Sequence, residues 1–352
     1  MTSAEPDTPA GATGSLVGAV AVETGADLVE DDIRARDYWE LVWLRLKRDR
    51  VAIAGAIYIV LLLVVAFGGA PLARHLLGHG PNTLFVGTDA VDPRSLLPAG
   101  PWTHLTDPYT GKQTLLVLGA SDTLGRDEFL RLLYGAQVSI EVALFSTIGV
   151  VALGVLLGAT AGYYRGWIDG VISRVTEVTM AFPALLFVIA LSATVGPSMN
   201  GITFGVFGKG VVTLVLVFTV FGWFYPARIM RAQTLSIREK EYIEAARMIG
   251  ASDWRIIRSH VFPHLVAPII VYSTLIVASY ILLEAGLSFL GLGIQPPTAS
   301  WGNLLAQAPF FYTTQPWLML WPGLAVLLTT LAFNLLGDGL RDAFDPRSST
   351  RR

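Results

Sequence analysis

Asp, Glu, Lys and Arg are missing from six long stretches of the chain, at residues 51–70, 142–164, 178–208, 210–227, 265–283 and 285–337. Each of the first five reaches or approaches the roughly 20 apolar residues that a helix needs to cross about 30 Å of hydrocarbon. The sixth is too long for one crossing. Its polar turn residues at 295–298 and 301–303 indicate a loop in its first half, which leaves 317–336 as the crossing helix. The pattern predicts six transmembrane helices.

The same stretches indicate the fold class. They are continuous rather than alternating, which is typical of membrane helices, because a helix satisfies its backbone hydrogen bonds within the segment. Only 15% of the 352 residues are charged and 53% are hydrophobic, whereas about 25% of the residues of soluble domains are charged. We therefore predict an all-α polytopic membrane protein.

The distribution of Lys and Arg predicts the orientation. With the N-terminus inside, 19 of the 25 basic residues lie on the cytoplasmic side and 6 lie outside, as the positive-inside rule requires. Both termini are then cytoplasmic. The predicted order is a disordered cytoplasmic tail (1–36), an interfacial helix and first span (37–70), an extracytoplasmic segment (71–134), a membrane core (135–340) with a cytoplasmic loop at 228–264, and a cytoplasmic tail (341–352).

Two features of the predicted spans concern packing. Gly149, Gly154, Gly158 and Gly162 nearly follow the small-xxx-small spacing that lets helix backbones approach closely. Pro183 falls inside the third predicted span, where neighbouring helices or water can satisfy the carbonyl that it frees. Before the first span, residues 38–50 combine aromatic, leucine and basic residues, which is typical of an interfacial helix in contact with lipid or of a simple basic flank.

Several kinds of chemistry find little support. The chain has no cysteine, which excludes disulfides and thiol catalysis. His75 and His79 have helical i, i+4 spacing, but glycines adjoin His79 and no carboxylate is near in sequence, so we expect an ordinary loop and no metal site. The formal net charge is −2 and no basic patch with interleaved aromatics occurs, so we expect no nucleic-acid partner.

The cytoplasmic loop has a pattern of its own. Residues 240–249 are predicted to form a helix with one shallow face, and Gly250 fits a C′ position where positive φ suits glycine. Ser252 or Asp253 can cap a second short helix, which Pro263 is expected to close before the fifth span. This element either docks on another protein or merely joins two spans. Its shallow face would consist of Tyr242, Ala245, Ala246 and Ile249.

This loop resembles the EAA loop of ABC-importer permeases. The family pattern is E-A-A, three residues, G, nine residues and I-x-L-P, and the chain departs from it at His260 and Phe262. Further motifs resemble the second permease subunit of the peptide/nickel branch, although Ser121 stands where the branch has Thr and residues 71–118 are expanded. These motifs include Asp122, Gly125, Arg126, Asp127, Glu284, Gly286, Asp338 and Arg341.

The resemblance implies a type I ABC importer in a bacterial plasma membrane. The implied partners are a second permease, one or two cytoplasmic ATP-binding subunits and an extracytoplasmic solute-binding protein. The chain would bind no cofactor, since ATP and magnesium belong to the ATPase, and no G-x-x-x-x-G-K-[ST] motif occurs here. Di- or oligopeptides are the expected solute, with nickel chelates or oligosaccharides as alternatives. The resemblance assigns ATPase coupling to Glu244, Ala245, Ala246, Gly250, Asp253 and Pro263.

Two other functional classes remain as alternatives. A secondary transporter usually carries ionisable residues inside its spans, whereas the central charge-free stretches contain none and Glu284 is placed at the outer end of span five, near the interface. A membrane-embedded enzyme would need convergent catalytic groups, and no Ser/His/Asp set or carboxylate pair falls within the spans.

Overall fold

A computed structural model describes residues 38–86, 88–106, 113–199 and 210–345. The predicted tail at 1–36 and most of the tail at 341–352 lie outside these residues. The chain separates into a short unit, Met1–Leu41, and one compact unit, Val42–Arg352. All elements discussed below belong to the compact unit, apart from the first residues of helix α1.

Within the described residues the chain forms thirteen α-helices and two strands. In chain order these are α1 (Tyr38–Arg48), α2 (Arg50–Leu63), α3 (Ala70–Leu77), β1 (Thr103–Thr106), β2 (Gln113–Leu116), α4 (Glu128–Tyr164), α5 (Gly166–Ala181), α6 (Ala184–Met199), α7 (Val211–Gly222), α8 (Phe224–Arg238), α9 (Glu241–Met248), α10 (Asp253–Ile256), α11 (Phe262–Phe289), α12 (Trp301–Gln307) and α13 (Trp317–Phe344).

Four continuous helical segments are long and apolar enough to cross a membrane: Arg50–Leu77, Glu128–Tyr164, Asp253–Phe289 and Trp317–Phe344. Two further pairs of helices pass the same test but are bent, α5 with the first part of α6 by 86° and α7 with α8 by 41°. The described residues therefore contain four candidate spans, or up to six if each bent pair counts as one.

The first span is longer than predicted. Asp49 caps α2 by accepting from the amides of Val51 (2.9 Å) and Ala52 (3.1 Å). A π-helical turn at Val64–Gly69 then joins α2 to α3, so the helix continues to Leu77 instead of ending at residue 70. Pro71 does not stop it, because Pro71 lies in the first turn of α3, where a missing amide costs little.

The third span is not the straight helix predicted from residue 178. α5 begins at Gly166 and ends at Ala181, because Phe182 precedes Pro183 and is pushed into an extended conformation (ψ 140°). The helix then restarts as α6. The end of the predicted span, 200–208, lies outside the described residues.

Close packing of α4 on α8 confirms the prediction from the glycine spacing. A Cβ atom would lie 2.6 Å from the Pro226 ring at Gly154, 2.3 Å from the Ala227 carbonyl oxygen at Gly158 and 2.7 Å from the Arg231 carbonyl oxygen at Gly162. Such distances are shorter than real Cβ contacts, so only glycine permits this approach.

Two predicted boundaries near the last spans are wrong. Pro263 does not close a helix before span five; a π-helical turn at Ile257–Val261 changes the hydrogen-bond register, and Pro263 occupies the first turn of α11, which continues to Phe289. The expected loop at 301–303 is instead helical. α12 begins there because the Ser300 hydroxyl accepts from the Asn303 amide.

The outer segment, which we define as residues 78–127, is not purely helical. β1 and β2 pair antiparallel, with Thr103 opposite Leu116 and Thr106 opposite Gln113. The prediction of an all-α protein is therefore corrected by this hairpin, because the outer segment contains two strands. The hairpin packs on a small apolar core of its own, formed by Ala90, Val91, Leu105, Leu116 and Ala120.

α4 extends from one end of the helical bundle to the other. Its first turn contacts the outer segment and its last turn contacts α10. At 1.5 Å per residue, its 37 residues separate these contacts by about 55 Å. We call the end that carries the hairpin the outer end and the end that carries α9 and α10 the inner end.

Candidate functional site

The helix–glycine–helix element at the inner end, which we call the inner element, consists of α9, Gly250 and α10. Gly250 has φ +83°, which confirms the positive φ predicted for it. Its amide donates to the Arg247 carbonyl (2.9 Å), and the Ala251 amide donates to the Ala246 carbonyl (3.0 Å). These two bonds form a Schellman motif, which satisfies the last carbonyls of α9 and fixes the direction of the chain into α10.

The inward face of α9 differs from the predicted stripe. Ile243 and Ala246 are buried against Ile256 and Val261, whereas Ala245 is exposed. Ala246 is only 7% exposed, so the prediction that it belongs to an open docking face is wrong. The residues of this stripe share a face, but contact with the bundle, rather than periodicity, determines which part of that face is covered.

The outward side of the inner element is apolar. Met248 is 84% exposed, Ile249 85% and Trp254 70%. These three residues, which we call the apolar tip, surround the turn at Gly250. Apolar side chains this exposed, on an element flanked by charged residues, indicate a surface that another molecule covers.

Tyr163 at the end of α4 holds the inner element in place. Its hydroxyl donates to Asp253 Oδ1 at 2.7 Å. The guanidinium groups of Arg238 and Arg247 lie 5.7 Å and 5.4 Å from its ring centroid, within the range of cation–π attraction. Either Ser252 or Asp253 was predicted as the helix cap. Ser252 occupies the N-cap position, without a side-chain cap hydrogen bond, and Asp253 serves as this anchor. No local sequence pattern indicates Tyr163 as its partner.

At the outer end, the motif at 122–127 forms a rigid turn. Asp122 accepts from the amides of Leu124 (3.0 Å) and Arg126 (3.3 Å) and from Arg126 Nε (2.5 Å). Gly125 has φ +71°. Both members of the Asp122–Arg126 ion pair are buried. These motif residues therefore have a structural role in shaping the turn.

Asp127 and Arg131 connect this turn to the rest of the outer end. Asp127 caps α4 by accepting from the Leu130 amide (3.0 Å), and its other oxygen contacts His79 Nε2 at 2.8 Å. The Arg131 guanidinium is fully buried and bonds to Asn82 Oδ1 at 3.3 Å. The loop prediction for His79 missed its carboxylate partner, which is 48 residues away in the chain.

Metal binding finds no support in the described part of the chain, where no group of three His, Cys, Asp or Glu side chains could hold an ion.

The backbone amides of Arg94 and Ser95 donate to Asp92 in the outer segment, and these hydrogen bonds lower the pKa of its carboxyl.

Glu284 lies inside the bundle and not at the interface, which corrects the prediction for this residue. It is fully buried, and its two oxygens accept from the Ser139 and Ser288 hydroxyls, each at 2.7 Å. Ser288 in turn accepts from the Ile294 amide at 2.9 Å. Glu284 thus links α4, α11 and the loop before α12.

The remaining motif residues are more open. Gly286 has space around its Cα, because a Cβ atom added there would meet no atom of the described residues within 4 Å. Asp338 and Arg341 are exposed in the last turns of α13. The end of α13 is capped from α1, because Arg45 Nη1 donates to the Asp345 carbonyl at 2.9 Å.

Ionisable residues do occur within the candidate spans, contrary to the prediction. Asp169 of α5 pairs with Arg231 of α8, which donates to Asp169 Oδ2 from Nη2 at 2.6 Å. Arg174, Glu177 and Arg228 also lie in the two bent helix pairs. The prediction was wrong because the helices extend beyond the charge-free stretches from which the spans were inferred.

Comparison with known proteins gives two family matches. Residues 154–350 match the family described as the binding-protein-dependent transport system inner membrane component. Residues 37–91 match the N-terminal TM domain of oligopeptide transport permease C.

Individual relatives match over most of their length. The chain is 36% identical over 316 residues to the glutathione transport system permease protein GsiD of Pectobacterium atrosepticum, covering 90% of the chain and 93% of that protein. It is 35% identical over 319 residues to the dipeptide transport system permease protein DppC of Alkalihalophilus pseudofirmus, covering 90% and 93%. A solved inward-facing structure of the MetNI methionine ABC transporter has a TM-score of 0.49 and 17% identity, covering 61% of this chain and 96% of that one.

Proposed function

Because the chain belongs to the binding-protein-dependent transport system inner membrane components, as an ABC-importer permease subunit of the dipeptide and oligopeptide branch, we propose that it forms half of a pathway that imports short peptides. It is not an enzyme, and ATP hydrolysis belongs to separate chains of the importer. The single observation that carries the proposal of ATP-driven coupling is the apolar tip of the inner element.

In this proposal the apolar tip docks in a cleft on a cytoplasmic ATP-binding subunit. Met248, Ile249 and Trp254 are exposed together on a turn that the Schellman motif and the Tyr163–Asp253 bond hold rigid. A preformed surface loses little conformational entropy when it docks. A rigid connection to α4 and α11 also transmits movement of the ATPase to the spans. Glu244, Ala245 and Gly250 flank this surface, whereas Ala246 supports it from below.

Short peptides are the proposed solute, because relatives over nine-tenths of the chain are named as permeases for glutathione and for dipeptides. Nickel chelates and oligosaccharides are the alternatives within the same branch. The proposal includes a bacterial inner-membrane location, six spans with cytoplasmic termini, and pairing with a second permease.

An extracytoplasmic binding protein would dock at the outer end. A groove of 490 Å³ lies there between the rigid 122–126 turn and the segment after α12, lined in part by Leu124, Phe310 and Phe311. Phe310 is 81% exposed. Aromatic side chains that become buried in a pocket contribute much of the binding energy of protein interfaces, so this exposed aromatic beside a groove supports docking of a protein here.

The test is to purify the full-length tagged chain from its native membrane and identify the proteins that accompany it. We expect a second permease and one or two ATP-binding subunits. Reconstituted vesicles should then take up dipeptides when ATP and loaded binding protein are supplied, and should not take up nickel chelates or oligosaccharides. Uptake that follows a proton or sodium gradient and ignores ATP would instead identify a secondary transporter.

A further inference from the structure

A cavity of 240 Å³ lies between α4, α5 and α8. Its α4 wall includes Gly158 and Ala161, which lie within six residues of Tyr164, the last residue of α4. At 1.5 Å per residue, the cavity is within about 9 Å of the inner end of that helix. Its remaining lining comes from α5 and α8: Ile172, Ser173, Thr176, Glu177, Met180, Ala227, Arg228 and Arg231.

The charged residues of this cavity differ in how they are paired. Arg231 is held by Asp169, to which it donates two hydrogen bonds. Among the described residues, Glu177 is exposed and pairs with Arg174, which is also exposed, at 3.0 Å. Arg228 is exposed and makes no side-chain hydrogen bond or ion pair with any residue that the structure describes. An exposed ion pair contributes only about 0–1 kcal/mol, so the Glu177 carboxylate can exchange partners, and it lies at the same cavity as the Arg228 guanidinium.

Both available groups lie in the bent helix pairs that qualify as membrane spans. Ionisable side chains in spans face the bundle interior or a water-filled cavity, because hydrocarbon offers them no partner. Glu177 is also too short to reach far along a helix toward the membrane surface, unlike a lysine or arginine side chain. These charges therefore mark a hydrated surface rather than a lipid-facing one.

We propose that this cavity is a solute subsite that binds the charged ends of a peptide, with Arg228 taking the carboxylate and Glu177 taking the ammonium group. The inference rests on the proposed peptide-import function and names residues of its pathway. The volume corresponds to about eight water molecules at ~30 Å³ each, enough for one or two residues of a small peptide. The Ser173 and Thr176 hydroxyls and the apolar side chains of Ile172 and Met180 would accommodate the rest of the ligand.

Occupancy can be measured directly, because the chain contains no cysteine. Ser173→Cys places a nearly isosteric thiol in the cavity wall. In the complete importer in nanodiscs, a small thiol reagent should modify this cysteine, as followed by the mass of the chain. A millimolar dipeptide should slow the modification severalfold. The same dipeptide with acetylated and amidated ends should not. Neither peptide should protect a Ser95→Cys control, at an exposed serine of the outer segment.

The charged residues are tested in the same background. Adding Arg228→Gln or Glu177→Gln to Ser173→Cys should abolish protection by the dipeptide. In the cysteine-free chain, each substitution should lower peptide uptake about tenfold, as expected when a charge-assisted hydrogen bond is lost. The ATPase activity stimulated by loaded binding protein should change little. Arg94→Gln, a change at an exposed cation of the outer segment, is the matched control and should leave both measurements unchanged.

Three results would overturn the inference. A thiol reagent that never reaches Ser173→Cys would show that the partner permease or lipid covers the cavity. Protection that survives both glutamine substitutions would exclude the assigned residues, and loss of importer assembly in either variant would make them interface residues. Each of these leaves the proposed function intact if the wild-type importer takes up peptides; if it does not, the proposed function itself is wrong.

Discussion

At the residue scale, Asp127 has two roles, and each of its carboxylate oxygens serves one of them. Oδ1 caps α4 through the Leu130 amide, and Oδ2 contacts His79 in the outer segment. Asp127→Ala removes both interactions and leaves a buried polar partner unsatisfied, so we expect a loss of about 1–3 kcal/mol in the free energy of unfolding. Thermal unfolding of the detergent-purified chain measures it.

Asp127→Asn is the matched control, because an amide oxygen still accepts the Leu130 hydrogen bond and asparagine is as good an N-cap as aspartate. Its melting temperature should lie much nearer to that of the wild type. If Asp127→Ala melts at the wild-type temperature, the outer segment is not held through this residue.

Gly158 tests the contact between α4 and α8. A methyl group there would lie 2.3 Å from the Ala227 carbonyl oxygen, and this backbone atom cannot turn aside. We expect Gly158→Ala to destabilise the chain by about 1–3 kcal/mol, as overpacking does, less the gain of up to ~1 kcal/mol in helix propensity. Gly170→Ala in α5 meets no atom within 4 Å and should be neutral or stabilising. Equal melting temperatures for the two variants would contradict the close packing.

At the element scale, local chemistry predicted much of the inner element from the sequence. Gly250 and its positive φ follow from backbone sterics, which depend on neighbouring residues only. The covered face of α9 could not be predicted in the same way. Ala245 and Ala246 are the same residue type and adjacent in sequence. Only Ala246 is buried, because it packs into a cluster with Ile256 of α10 and Tyr163 of the distant helix α4. Pro263 shows the same limit, since a π-helical turn lets the helix continue through it.

Paired arginine substitutions distinguish the two alanines. Ala245→Arg adds a charge to the exposed side of α9, so it should leave the melting temperature nearly unchanged while blocking the ATPase docking that we propose. Ala246→Arg forces a guanidinium into a buried apolar cluster. It should therefore lower the free energy of unfolding of the inner element by several kcal/mol. The measurements are thermal unfolding and co-purification of the ATP-binding subunit. A normal ATPase complex with Ala245→Arg would refute docking on this face.

At the scale of the whole molecule, the charge-free stretches predicted the positions of the apolar helices but not their ends. α4 begins at Glu128, well before the charge-free stretch that starts at 142. Residues distant in sequence contact its start, because His79 contacts the N-cap Asp127 and Asn82 accepts a hydrogen bond from Arg131. The same holds for the candidate sites. Motifs named Asp253 and Glu284, whereas the partners Tyr163, Ser139 and Asp169 come from elsewhere in the chain and carry no local signal.

The number of spans is the last prediction, and the absence of cysteine makes it measurable without background labelling. With six spans and cytoplasmic termini, a membrane-impermeant maleimide applied to spheroplasts should label cysteines at the outer end and in the 200–209 connection. It should label cysteines in the tails and at the start of the inner element only after permeabilisation. The outside set is Val86→Cys, Thr203→Cys and Phe310→Cys, and the inside set is Ser15→Cys, Lys240→Cys and Ser349→Cys.

Thr203→Cys decides between six spans and four, although this residue lies outside the described part of the chain. If the bent pairs α5–α6 and α7–α8 both enter the membrane and return to the same side, every other cysteine keeps its predicted side, because two crossings are removed together. Residue 203 alone would then move to the inside. Labelling of Thr203→Cys from outside therefore supports six spans, and labelling only after permeabilisation makes the 86° and 41° bends re-entrant turns.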